Sequence, residues 1–194
     1  MKTTLTRSSA VMMAIAACAA FGRYEGAGAS WLDEPKLVSW NAPGLAIPAA
    51  PTVQGGVDPR CRDQARPPQT TEDTRVHDRG WDLVDAYQGG WQMVVIGGTA
   101  SYDGMCRPRQ YQYFVFVASV FAGTLSPQPM DSRTDGALTR VWLQSGTALT
   151  AEYSRYAAAD ALCCPSRTSR AVFEIAKSPP VVRPVSVATS ANPK

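Results

Sequence analysis

Residues 111–117, Tyr-Gln-Tyr-Phe-Val-Phe-Val, constrain the fold more than any other stretch of the chain. In an extended backbone alternate side chains point to opposite faces, so Tyr111, Tyr113, Val115 and Val117 share one face and Phe114 and Phe116 the other. Both faces are apolar. A strand of this kind needs cover on each side and belongs in the middle of a sheet. It sits within a longer unit, 103–136, that opens with a turn and Cys106 and continues into a hairpin with 120–125. The unit ends in a polar loop, Asp131-Ser132-Arg133-Thr134-Asp135-Gly136.

The rest of the chain keeps the same period of 2. Residues 81–87 and 91–96 flank Gly89-Gly90, a hairpin signal. Residues 138–143 alternate less cleanly. Leu149, Ala151 and Tyr153 form the apolar face of one strand, and Ala171, Phe173 and Ile175 that of another. A last strand at 181–187 contains Pro184, which cannot donate to a ladder and so requires a sheet edge. Ahead of the strands, Pro67-Pro68 stops any earlier helix. Thr70 and Thr71 then offer an N-cap, with Glu72 and Asp73 in the first turn of a short helix over 72–78 that ends before Gly80. The fold class expected is mainly β: a curved antiparallel sheet or meander of about eight strands, one short helix, and disulfide staples. The strand order does not follow from the pattern.

The amino end reads as an export signal. Lys2 and Arg7 precede an uncharged apolar run over 10–21, about a dozen residues against the roughly 20 that a bilayer span needs. Two exits are open. Ile15-Ala16-Ala17-Cys18 resembles a lipobox, which makes 1–17 the signal and Cys18 the lipidated residue. Ala27-Gly28-Ala29 instead suits an ordinary signal peptidase, which makes 1–29 the signal. Residues 30–60 are rich in proline, alanine and glycine and read as a tether. A single β-rich domain is expected over 61–189, followed by a tail over 190–194. Removing 1–29 takes away Lys2, Arg7, Arg23 and Glu25, so the formal charge falls from +3 to +1. A nearly neutral mature chain has no general attraction for nucleic acid, and it meets a membrane only if lipidated.

Four cysteines follow the leader: Cys61, Cys106, Cys163 and Cys164. In an exported chain they read as two disulfides, and three pairings are possible. A bond between the neighbours Cys163 and Cys164 requires a strained eight-membered ring, so the expectation is that each pairs with one of Cys61 and Cys106. There is no C-x-x-C pair and His77 is the only histidine, so no metal or other cofactor is expected.

The same single histidine limits catalysis. A serine or cysteine triad would have to use His77, which lies beside Asp78 and Arg79 in a charged helical stretch, and no G-x-S-x-G or S-x-x-K occurs. No catalytic residues are assigned. Glycoside hydrolysis needs only two carboxyl groups, and Asp131, Asp135, Glu152 and Asp160 are the candidates. Residues 131–136 look like the start of a calcium loop, but Arg133 stands at its third position and Trp142 at its twelfth, so that match fails. The loop reads mainly as turn chemistry. Arg133 is placed as an internal clamp between acids, while Asp131, Ser132, Arg133 and Asp135 remain the candidate ligand loop.

Three segments, DGMCRPRQYQYFVFV, FAGTLSPQPMDSRTDGAL and TAEYSRYAAADALCCPSRTSRAVFEI, resemble the bacterial LppP/LprE lipoprotein family, in the branch with DG-x-CRP and CCPS segments. The resemblance covers about 61–175. It implies an exported or lipid-anchored envelope protein with a mostly β domain, and it brings no catalytic residues. One departure is Ala118-Ser119, where an Asn-Gly-like pair is expected in the central hairpin; it argues against a tight type I′ turn there. The combined reading is an exported protein of the periplasm or cell envelope. It is a non-enzymatic structural or binding module whose partner is an envelope glycan or protein. The alternative is a cell-wall glycan hydrolase. Exposure among Trp31, Trp81, Trp91 and Trp142 would favour glycan binding.

Overall fold

The computed structural model describes residues 30–53, 59–89 and 91–193. Both proposed leader cleavages, and Cys18, lie outside them. Among the described residues eight strands form two four-stranded antiparallel sheets. β1 (Asp82–Gly89), β2 (Met93–Tyr102), β3 (Pro108–Val117) and β4 (Val120–Thr124) make the first sheet, in that order. β5 (Ala137–Ser145), β6 (Ala148–Arg155), β7 (Arg167–Lys177) and β8 (Pro180–Ala191) make the second. Each sheet is a meander, so every strand pairs with its neighbour in sequence.

The principal core lies between the sheets. Met93, Val95, Tyr111, Tyr113 and Val115 of the first meet Leu149, Ala151, Tyr153, Ala171, Phe173 and Ile175 of the second. The opposite face of β3 behaves as its alternation requires. Phe114 and Phe116 are fully buried in a second cluster with Trp81, Leu83, Ile96 and Phe121. That cluster is covered by Val76 of the helix α1 (Thr71–His77) and by Ile47. The order is therefore helix, first sheet, second sheet. Full burial of each of these large side chains contributes about 1.5–3 kcal/mol.

α1 starts where the sequence places it. The Thr70 hydroxyl accepts from Asp73 N at 3.1 Å, and the Asp73 carboxylate accepts from Thr70 N at 3.2 Å, which completes a capping box. The helix also holds the β3–β4 turn. Ala118 (φ 47°) and Ser119 (φ 61°) are both left-handed in a two-residue connection, the geometry of a tight I′ turn. This corrects the expectation drawn from the missing Asn-Gly pair. Tertiary contacts supply what local propensity lacks: Arg75 Nη1 donates to Ser119 O at 2.7 Å, and the Ser119 hydroxyl donates to Glu72 Oε1 at 2.5 Å.

Residues 30–53 are not a free tether. They have almost no regular structure beyond a 3-10 turn at Trp31–Asp33, as their composition requires, yet they are packed onto the domain. Trp31 and Leu32 enter the principal core, Ile47 the second cluster, and Trp40 packs edge-on against Trp31 at 5.1 Å between ring centres. The stretch carries an apolar patch from Trp31 to Trp40 but no period of 2 or 3.6, so periodicity gives no sign that these few large side chains are core. At the other end β8 runs to Ala191, and Asn192 N donates to Ser166 O at 2.8 Å, so the tail begins later than 190. Pro184 lies on β8, an edge strand, opposite Phe173 beside a register shift.

The disulfides are Cys61–Cys106 and Cys163–Cys164. This overturns the expected pairing of each neighbour with a distant cysteine. The 3-10 segment Pro59–Gln64 is pinned to β1 by Arg66 N donating to Leu83 O at 2.8 Å. Cys61 is thereby set 5.0 Å, Cα to Cα, from Cys106 in the β2–β3 turn. With those two joined, the neighbouring cysteines of the β6–β7 loop close on each other.

Candidate functional site

A cavity of about 260 Å³ opens beside the β2–β3 turn. Its walls come from β1 (Asp85), the end of β2 (Tyr102), the turn and start of β3 (Arg107, Tyr111, Tyr113), Ser132, and the start of β5 (Leu138). The turn is built around Asp103. Its Oδ1 accepts from Met105 N at 2.9 Å and Arg107 N at 3.0 Å, and its Oδ2 accepts from Arg107 Nε at 2.7 Å. Burial pushes the Asp103 carboxyl up, but these hydrogen bonds outweigh it and hold the group below its ordinary range. The Arg107 guanidinium is thus fixed on one edge, and its Nη1 is buried with no hydrogen-bond partner among the described residues.

Three tyrosines project into the same region. Tyr111 is fully used: its hydroxyl bonds the Gly136 carbonyl and accepts from Leu138 N at 3.2 Å, tying β3 to the start of β5. Tyr113 donates to Asp85 Oδ2 at 2.5 Å, and burial together with that carboxylate pushes the phenol well above its ordinary range. Tyr102 is 8% exposed, and its hydroxyl has no hydrogen-bond partner among the described residues. Burial, and then the charges of Asp82 and Asp85, push it up to about 12, so it remains a neutral phenol able to donate at neutral pH. An unpartnered buried hydroxyl costs about 1–3 kcal/mol relative to a bonded one. Tyr102 and Arg107, both residues of the cavity wall, thus each carry a buried donor with no hydrogen-bond partner among the described residues, and Asp85 lines the same wall.

The 131–136 loop forms as turn chemistry. Asp131 Oδ1 accepts from Gln110 N at 2.8 Å, which holds a residue at φ 51°. Asp135 Oδ2 accepts from Asp131 N at 2.7 Å, and Gly136 takes φ 131°. Burial raises the Asp135 carboxyl above its ordinary value. Arg133 does not clamp the two acids as the sequence reading had it. It donates to Asp160 O at 2.7 Å and lies over the Tyr156 ring at 4.7 Å. Of the four candidate ligand-loop residues only Ser132 reaches the cavity wall, and its hydroxyl donates to Pro108 O at 2.7 Å.

The four acids considered for glycoside hydrolysis are not brought together. Asp131 and Asp135 share one turn. Asp160 caps its own loop, accepting from Ala157 N at 2.6 Å and Ser166 N at 3.0 Å. Glu152 pairs with Arg170 at 2.8 Å on the second sheet. His77 faces its own helix end, with Nδ1 3.2 Å from Trp81 O. Among the described residues no three of His, Cys, Asp and Glu are placed to hold a metal, and no helix is long and apolar enough to cross a membrane. Of the tryptophans, Trp31 and Trp81 are buried. Trp91 is 66% exposed, and Trp142 is half-buried with Arg140 and Arg170 5.3 and 5.7 Å from its ring centre.

Sequence reading missed Tyr102, Arg107 and Asp85 as wall residues. Alternation around Tyr111 and Tyr113 marked core, and nothing local distinguishes a core tyrosine with a free hydroxyl from one whose hydroxyl is bonded. The Asp103-Gly104-Met105-Cys106-Arg107 turn was the available signal.

These features define a class: a disulfide-bonded, two-sheet antiparallel β domain with a small cavity of mixed polar and apolar lining beside the β2–β3 turn. Residues 87–178 match the LppP/LprE lipoprotein family, so the segment from late β1 through β7 carries that family's pattern. No curated protein and no solved structure matches the chain.

Proposed function

We propose that the protein is an exported envelope lipoprotein acting as a non-enzymatic binding module, with its ligand seated in the cavity beside Tyr102. The observation that carries this reading is that two residues of one cavity wall, Tyr102 and Arg107, each carry a buried donor, Tyr102 Oη and Arg107 Nη1, with no hydrogen-bond partner among the described residues. Buried polar groups in folded proteins are nearly always bonded, and exceptions call for an explanation. A polar envelope component, a glycan fragment or the exposed end of a protein, would bond both donors and meet the Asp85–Tyr113 pair. The family match supports envelope placement. Lipidation at Cys18, or release after residue 29 into the periplasm, are the two forms in which the module would reach its ligand.

Native mass spectrometry of the exported chain, equilibrated with soluble envelope saccharides and peptides, tests the proposal. The expected result is a retained small ligand whose affinity falls about tenfold in Tyr102→Phe, the loss of roughly one hydrogen bond. No retained ligand, or one bound equally by Tyr102→Phe and wild type, overturns it.

A further inference from the structure

We infer that Cys163–Cys164 is a thiol–disulfide exchange site that accepts electrons from a dithiol, and that Cys61–Cys106 is the structural staple. The inference is independent of the ligand cavity. A disulfide stabilises mainly by closing a loop in the unfolded chain, and the effect grows with loop length. Cys61–Cys106 spans 45 residues, and Cys61 is 1% exposed in the fold. Cys163–Cys164 spans one peptide, so it restricts almost nothing in the unfolded chain, and both residues are exposed.

Nor does the vicinal bond hold its own loop. Asp160 accepts from Ala157 N and Ser166 N, closing residues 157–166 without either sulfur. Asn192 ties the far side, donating from its backbone to Ser166 O and from its side chain to Pro165 O, each at 2.8 Å. Arg133 fixes the near side through Asp160 O at 2.7 Å. A covalent bond that closes no loop and supports no packing, held at the surface on a pre-formed frame, is left with its chemistry. Exposed disulfides are the ones open to exchange, because the attacking thiolate must reach a sulfur in line with the bond.

The step balances with a dithiol as co-reactant. One thiolate of the dithiol attacks a sulfur of the pair, the Cys163–Cys164 bond breaks, and the leaving thiolate takes a proton. The second thiol of the donor, losing its proton, attacks the mixed disulfide, releasing the oxidised donor and the second cysteine. Two electrons and two protons pass to Cys163 and Cys164.

The test is stepwise reduction of the oxidised, exported chain with dithiothreitol, trapping with iodoacetamide and mapping peptides by mass spectrometry. The expected result is alkylation of Cys163 and Cys164 while Cys61 and Cys106 stay linked and the melting temperature does not change. Opening of Cys61–Cys106 first or at the same step, or alkylation of Cys163 and Cys164 before any reductant, overturns the inference. A second arm uses Cys164→Ser with glutathione disulfide. The folded variant is expected to form one mixed disulfide at Cys163. Failure to do so where the denatured variant reacts also overturns it.

Discussion

The carboxamide of Asn41 lies directly against Gly123: a Cβ placed on that glycine would come 2.2 Å from Asn41 Cγ. The closeness has a purpose that the hydrogen bonds make plain. Asn41 Nδ2 donates to Thr124 O at 2.9 Å and to Val182 O at 3.1 Å, and Asn41 Oδ1 accepts from Thr124 N at 2.9 Å. One side chain thus acts as a piece of backbone between the edge strands β4 and β8, joining the two sheets where their own ladders stop. Gly123 at φ 129° is the only residue type that admits it there.

Gly123→Ala should therefore cost about 3 kcal/mol, because backbone strain and overpacking act on the same residue. Asn41→Ala should cost about 2 kcal/mol by leaving Thr124 N and Val182 O unbonded. Urea unfolding followed by tryptophan fluorescence measures both. Losses under about 0.5 kcal/mol would show that the sheets do not depend on this bridge.

The amino-terminal segment has a second anchor. Arg155 is 2% exposed; its Nη2 donates to Asp33 Oδ2 at 2.5 Å and its Nη1 to Ser169 Oγ at 3.0 Å. Asp33 is partly exposed, so solvent screens the pair, and the larger effect of its loss is the guanidinium left buried. Asp33→Ala is expected to cost about 2 kcal/mol, and the double variant Asp33→Ala/Arg155→Met less than the single one. A double variant weaker than the single, in the same unfolding assay, would refute this account.

Most of the strand pattern was legible because it is written with period 2 in β-branched and aromatic residues. The two-faced β3, the Pro184 edge and the α1 cap each rest on a local rule that tertiary structure had no cause to override. What could not be read depends on pairs far apart in sequence. Asn41 with Thr124 and Val182, Asp33 with Arg155, and Glu72 with Ser119 leave no periodic trace. From sequence, residues 30–60 therefore read as a tether and Ala118-Ser119 as unsuited to a tight I′ turn. The cavity escaped for the same reason: Tyr102, Asp85 and Arg107 come from three elements, and each alone is an ordinary residue of its type.

The Asp73 carboxyl gives stability a defined pH dependence. Hydrogen bonds from the Arg66 guanidinium, and then from Gln69 N and Thr70 N, outweigh burial and hold it below its ordinary value. A carboxyl whose folded pKa lies below its unfolded value, about 3.9, stabilises fully above that pH. The contribution is lost as pH falls through the unfolded value towards the folded one. Wild type should therefore lose more stability than Asp73→Asn between about pH 5 and pH 2, the two curves converging in acid. Parallel curves from thermal melts across that range would place the stabilisation elsewhere.

The two disulfides should separate cleanly in stability. In the chain-entropy model a loop of the length closed by Cys61–Cys106 is worth about 4 kcal/mol, whereas adjacent cysteines close no chain loop to which the model assigns stability. Cys61→Ser/Cys106→Ser is expected to lower stability by about 4 kcal/mol, with Cys61 also losing its buried place. Cys163→Ser/Cys164→Ser should stay within about 0.5 kcal/mol of wild type, because the Asp160 and Asn192 hydrogen bonds still hold the loop. Denaturant unfolding of the two double variants beside wild type checks this. A loss above about 2 kcal/mol in the second would mean that the vicinal ring, not Asp160, keeps residues 157–166 in place.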